Sequence, residues 1–342
     1  MIDTNTLNKC LIHSLQEGKT PLGLANGKMG MCIYFYSLSR IDQDAKFGKI
    51  AESLLDEIFE QINTINSIDV KDGLAGIGLG VDYLLKHKFT KGNIDIILGD
   101  IDDIIFKQLS YSKYSDKIGS LTLIHLLYYL CIRYEKQIKS SENEYLFGEL
   151  IIQTINNLYE RIDAAFFEEL LSYNVHYQLP QILYVLGRLY SLNFYNCRIS
   201  HIIEELSYKV LSIFPALHAN RLYLLWGMDN INKQINDNRW EKHIKMIRSN
   251  IDVNVILKQE LRNKNIFFED GVVSVYCILE SLKKFFSKKE LYTYKKDIYN
   301  KIEVSEIWDI IYTDPSYFDH YKGLYSGFCG SLLLIKSIKT NL

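Results

Sequence analysis

Only four prolines and three tryptophans occur in 342 residues, so little in the sequence interrupts long helices. No run of about 18 apolar residues is present, which argues against a membrane-spanning helix. The opening MIDTNTLNKCLIHSL has no basic stretch followed by an apolar core, so no secretory signal is read and the expected location is cytoplasmic. There is no excess of basic charge either. A formal charge of −2 gives no field to recruit nucleic acid or an anionic membrane, and neither is expected as a partner. The six cysteines (Cys10, Cys32, Cys131, Cys197, Cys277, Cys329) lack C-x-x-C or short even spacing. That scatter excludes a disulfide frame or zinc finger and predicts mostly reduced, buried thiols.

What is present is a repeat. GLANGKMG (23–30) and GLYSGFCG (323–330) share the frame Gly-Leu-x-x-Gly-x-x-Gly, and each leads into an apolar run. DGLAGIGLGVDYLL (72–85) is a third clear copy, and weaker copies start near residues 116, 177, 217 and 269. Taking Gly30, Gly76, Gly119, Pro180, Asn220, Ser274 and Gly330 as equivalent, the steps are 46, 43, 61, 40, 54 and 56 residues. Such spacing predicts one helical hairpin per repeat, with an extra loop at about 137–176.

Between the copies, segments such as KIAESLLDEIFEQINTI carry apolar residues at i, i+3, i+4 and i+7, the pattern of an outer helix with one solvated face. The runs after the glycines are apolar nearly all round and read as buried inner helices. Seven inner and seven outer helices make an all-α fold, an α/α toroid or a solenoid, and similar first and last repeats permit ring closure. Pro21, Pro180, Pro215 and Pro315 are all expected between helices. With no Ser/Gly-rich linker, one domain over 1–342 is expected. Turn glycines allow positive φ and close backbone approach, and seven converging helix N-termini make a rim suited to anions, carboxylates or a polar reaction centre.

On G-L-A-N-G-K-M-G, on G-L-A-G in the third copy and on the closing G-L-Y-S-G-F-C-G, the sequence resembles the lanthionine synthetase C-like family. These are zinc-dependent cyclases that build thioether rings in lanthipeptides. The resemblance runs from about residue 20 to the end and implies an α/α toroid with its active site at the glycine-rich end. It also implies zinc held by a Cys in a late repeat and by an adjacent Cys-His pair, followed by Gly, in the next. Here the second position reads Glu269-Asp270-Gly271, and the first falls near FPALHAN (214–220), which has no Cys. The family's zinc is therefore expected to be absent, and no other cofactor is expected. Zinc lowers the pKa of a bound thiol, whereas carboxylates favour a harder cation or none.

The same resemblance matches Asp69, four residues before Gly73, to an Asp that assists proton transfer. It matches His176, in HYQLPQIL, to an acid/base His. Each has a plainer reading: Asp69 as a helix cap, His176 as a loop residue with local hydrogen bonds. Glu269 and Asp270 equally suit the first turn of a helix. Cys329, between two glycines at a helix start, is expected to have a depressed thiol pKa. An alternative metal or thiol site joins His218, Glu269, Asp270 and Cys329.

Three functions follow from these readings. The first is peptide modification by thioether ring formation, with Asp69 and His176 handling protons. The second, motivated by the missing ligands, is a non-catalytic scaffold that binds a peptide or a maturation enzyme partner; separately, many of the 25 tyrosines fall on inner helices, and a lumen lined by them suits a flexible peptide. The third is a carbohydrate-active toroid drawing on Asp69, Asp72, Asp116, Glu269, Asp270, Asp314 and Asp319. About 20 residues precede the first repeat, little room for a separate leader-recognition domain.

Overall fold

The computed structural model describes residues 2–18, 20–111 and 117–341, and no β-strand occurs among them. Asp116 lies outside the described residues. The chain begins with α1 (Thr4–Gln16), then alternates helices that start at the repeat corners with amphipathic ones: α2 (Lys28–Asp42), α3 (Ala45–Gln61), α4 (Leu74–Lys86), α5 (Ile94–Ser110), α6 (Ser120–Lys136) and α7 (Glu142–Tyr159). The alternation continues through α8 (Gln178–Ser191), α9 (Asn196–Val210), α10 (His218–Ile235), α11 (Asn238–Ser249), α12 (Val272–Ser281) and α13 (Lys288–Glu303). Two short helices, α14 (Ile307–Thr313) and α15 (Pro315–His320), precede the last corner helix, α16 (Phe328–Asn341).

The register of the repeat is sharper than the sequence frame. Gly30, Gly76, Pro180, Asn220, Ser274 and Gly330 each occupy the third position of their helix. Gly119 does not: it is the N-cap of α6, so this repeat begins three residues later than the sequence equivalence placed it. Pro180 likewise sits within the first turn of α8, where the amide it lacks has no helical acceptor.

Burial separates the two kinds of helix as periodicity requires. In α2 ten residues from Lys28 to Leu38 are buried, whereas α3 buries only Ala51, Leu54 and Ile58, one stripe. Amphipathic helices start on side-chain caps: Asp44 accepts from Lys46 N at 2.8 Å, Ser141 from Glu144 N at 3.1 Å and Asp237 from Arg239 N at 2.7 Å. The corner helices α2 and α4 have glycine at the N-cap and no side-chain cap.

Two compact units result. The first comprises Met1–Ile105, Leu261–Tyr276 and Tyr292–Leu342; the second comprises Phe106–Glu260 and Cys277–Leu291. Within the first, the two ends of the chain meet, with α16 packed on α2. Tyr312 OH accepts from Asp3 N at 2.8 Å, and the buried Lys322 ammonium donates to Ser14 Oγ at 2.5 Å and Asp319 Oδ1 at 2.9 Å.

A second buried lysine, Lys28, is 2.6 Å from Glu57 Oε2; its side chain is 4% exposed against 39% for Glu57. Removing the carboxylate strands a buried ammonium, while removing the ammonium leaves a carboxylate that water can reach. Glu57→Ala is therefore expected to lower unfolding stability by about 2 kcal/mol, and Lys28→Met by less than about 1 kcal/mol. Denaturant titration of the two variants checks the asymmetry.

Candidate functional site

Four corners of the first unit are built alike. In each, the first N–H of the helix reaches seven residues back to a loop carbonyl. Lys28 N donates to Pro21 O at 2.7 Å, Leu74 N to Ser67 O at 2.9 Å, Val272 N to Asn265 O at 3.1 Å, and Phe328 N to Tyr321 O at 2.7 Å. The loop so closed leaves no room for a side chain at the N-cap. A Cβ on Gly27, Gly73, Gly271 or Gly327 would fall on the main chain of its own loop. Positive φ is not the reason, since among the described residues Gly18 is the only glycine with it; close approach alone selects glycine here.

Main-chain bonds tie the corners in a row. Ala25 N donates to Lys71 O at 2.9 Å; Leu324 N and Tyr325 N donate to Ala25 O at 3.0 and 2.9 Å; Phe268 N and Glu269 N donate to Tyr325 O at 3.1 and 3.2 Å. Asn26 and Ser326, at equivalent places in their frames, bond reciprocally: Ser326 N to Asn26 Oδ1 at 3.1 Å and Asn26 Nδ2 to Ser326 Oγ at 3.2 Å. The first glycine of the frame serves this row, because a side chain at Gly323 would strike Asn26, and one at Gly23 would strike Asp72.

The row carries carboxylates. Asp69 accepts from Asp72 N at 2.7 Å through Oδ1 and from the Ser67 hydroxyl through Oδ2. Burial, and next the charge of Asp69, push the Asp72 carboxyl up. At the other end of the row, Asp270 Oδ2 accepts from Asn265 Nδ2 at 2.9 Å. Burial raises the Asp270 carboxyl, and Glu269 beside it adds to the rise. Rings flank this corner: Phe267 stacks on Tyr321 at 5.1 Å and Phe268 lies 5.5 Å from Tyr325.

Cys329 departs from expectation. It is fully buried with its thiol donating to Lys322 O at 2.9 Å, and burial drives its pKa well above that of an ordinary thiol. The helix start that was expected to depress it is outweighed by loss of water. All six cysteines are free, but Cys10, Cys197 and Cys277 are exposed rather than buried. Of the carboxylates considered for a sugar site, Asp314 caps α15, accepting from Ser316 N at 2.9 Å, and Asp319 holds Lys322.

The second unit holds His176 and His218. His176 is half-buried in the loop before α8, its N–H donating to Asn174 Oδ1 at 2.8 Å. His218 opens α10; its Nδ1 accepts from Asp252 N at 2.9 Å and its own N–H donates to Glu260 Oε1 at 2.7 Å. Asp69 and His176 thus belong to different units, as do His218 and the trio Glu269, Asp270 and Cys329. Among the described residues no group of three or more His, Cys, Asp or Glu side chains is arranged to hold a metal ion. The corner helices of this unit present a ladder of rings: Tyr184 stacks on Trp226 at 4.7 Å, with Tyr128 at 5.9 Å from Tyr184 and Tyr223 at 5.6 Å from Trp226.

Among solved structures the chain is similar to nisin cyclase, with a TM-score of 0.69 over 99% of this chain and 94% of that one, at 12% identity. The fold is shared with nisin cyclase. The all-α toroid class read from the repeats is thereby shown. No family model matches the chain, and no curated protein matches it.

Sequence reasoning missed Glu169 and Glu260, which close the start of α10. Glu169 accepts from Ala216 N at 2.6 Å and Leu217 N at 2.9 Å, and Glu260 from His218 N at 2.7 Å and Ala219 N at 2.8 Å. They replace the loop carbonyls and glycines of the four corners in the first unit. Lying 41 to 48 residues from the amides they cap, they leave no local signal.

Proposed function

We propose that the protein closes thioether rings in a ribosomal peptide by positioning and proton transfer, without the zinc of lanthionine synthetase C-like proteins. The observation that carries this reading is the row of glycine corners bearing Asp69 at one end and Glu269-Asp270 at the other, on a fold similar to that of a cyclase. In the reaction a peptide Cys sulfur bonds to the β-carbon of a dehydroamino acid. The thiol proton passes to the Asp69 carboxylate and returns to the α-carbon, so no oxidant or reductant is required.

The donor set does not fit the family's metal. Oxygen ligands stand where the resemblance puts Cys and His, Asp270 is already bonded to Asn265, and nothing in FPALHAN supplies a thiolate. The energetic loss is bearable. A thiol of pKa about 8.5 is about 3% thiolate at pH 7, so losing the metal costs about 30-fold in nucleophile, less than the 10⁵ or more available from holding two reactants together. Bound peptide would lie against the rings beside the row, Phe268 and Tyr325, where aromatic side chains give broad contact at small entropic cost.

The test is incubation with a dehydrated, Cys-containing peptide in the presence of a chelator, counting the thiols left for alkylation. Loss of one alkylatable thiol per ring is expected. A peptide that binds and keeps its thiols would assign the protein instead to scaffolding, a reading that the oxygen donors at residues 269 and 270 also favour. Ser67 bonds Asp69 Oδ2, so Ser67→Ala is expected to slow ring closure about tenfold while leaving peptide affinity unchanged. An equal loss in affinity would show the contact to be merely structural.

A further inference from the structure

The strap between the buried Phe166 and Tyr173 has one strong anchor. Phe167 lies under the Lys209 ammonium at 4.8 Å and Leu170 O accepts from Asn220 Nδ2 at 3.2 Å, but Glu168, Leu170, Leu171 and Ser172 are exposed, Leu171 completely. Glu169 turns toward the start of α10. Its two oxygens take the N–H groups of Ala216 and Leu217 and, at 2.9 Å, the Nδ2 of Asn220. Three donors converging beside a helix N-terminus are a carboxylate receptor, since free amides and the helix dipole both favour an anion.

Two further groups mark the place as more than a cap. Asn220 Oδ1 and the Tyr177 hydroxyl, with residue exposures of 0% and 1%, find no hydrogen-bond partner among the described residues. Asn220 reaches into the site with its other atom, and burial followed by the charge of Glu169 pushes the Tyr177 hydroxyl up. Buried polar atoms left unmatched are costly, so Glu169 satisfies the receptor's donors and leaves an acceptor and a hydroxyl unused. A ligand with a carboxylate and an adjoining amide N–H would use both. An acidic residue in a peptide chain has that chemistry.

We propose that the start of α10 is a recognition site for a carboxylate of the bound peptide, held shut by Glu169 until that carboxylate displaces it. Displacement frees the strap and its Leu170-Leu171 tip. Glu260 stays in place, because the segment carrying it is fixed by buried Ile256 and Leu257. The idea rests on the peptide reading only for the source of the carboxylate, and its test involves no ring chemistry, so either can fail alone.

The probe is the strap's own sequence, acetyl-FEELLSY-amide, supplied in trans to the full chain. Glu169→Ala is expected to bind it at least about tenfold more tightly than the wild type, and Glu169→Gln to show the same direction to a smaller degree. The probe carrying Glu169→Gln should not bind. In the wild type, saturating probe should speed protease cleavage at Leu170-Leu171 about tenfold, a readout that does not depend on either variant folding. Equal binding by wild type and Glu169→Ala, binding of the Gln probe as tightly as the Glu probe, or unchanged cleavage of the wild type would overturn the proposal.

Discussion

Asp69→Asn is expected to slow ring closure about 100-fold or more, with unfolding stability changed by less than about 1 kcal/mol. The substitution separates the two roles that the sequence leaves open for this residue. Asp69 does not cap α4, whose N-cap is Gly73 with no side-chain bond; it braces its own loop, and an asparagine Oδ1 there can still accept from Asp72 N, now at 2.7 Å. What it cannot do is take a proton from a thiol and give it back, and loss of such a group costs about 10²–10⁴ in rate. Single-turnover thiol counting gives the rate, and denaturant titration gives the stability. A rate within threefold of wild type would leave Asp69 as a brace of its loop. A large loss of stability would show that its charge holds the corner.

The second large effect concerns the corners themselves. A Cβ at Gly76 would land on the Val70 carbonyl oxygen and within 3.1 Å of Leu24 Cβ. The carbonyl is main chain and cannot rotate aside, so Gly76→Ala is expected to cost about 3 kcal/mol or more. Gly99→Ala provides the contrast. Nothing lies within 4 Å of a Cβ at Gly99, which sits inside α5, and alanine there should stabilise by about 0.5–1 kcal/mol through helix propensity. Opposite signs for two Gly→Ala changes locate the sensitivity in the corner. Similar small effects for both would mean that the corner loop gives way and that its geometry is not fixed by glycine.

How much of this was legible in the sequence differs from corner to corner. At residues 23–30 and 323–330 the frame is read directly, because each of its three glycines meets a main-chain obstacle that no side chain tolerates. The reason differs from the one the sequence suggested: crowding selects these glycines, not left-handed φ. At residues 216–220 the same start is closed by Glu169 and Glu260. A glycine pattern cannot reveal a corner whose obstacle has been replaced by carboxylates more than 40 residues away. Gly119 misled the register because it precedes its helix as an unobstructed cap, with nothing within 4 Å of a Cβ. Cys329 misled the electrostatics, since position in a turn says nothing of burial, and here burial governs the thiol.

The proposed function depends on Glu269 and Asp270 standing where the resemblance puts the family's Cys and His zinc ligands. Zinc content of the protein, purified without chelator and measured by elemental analysis alongside its ring-closure rate, tests this most directly. Well under one zinc per ten chains, with a rate unchanged by added zinc or chelator, is the predicted result. One zinc per chain, lost together with activity in Glu269→Ala and Asp270→Ala, would contradict it.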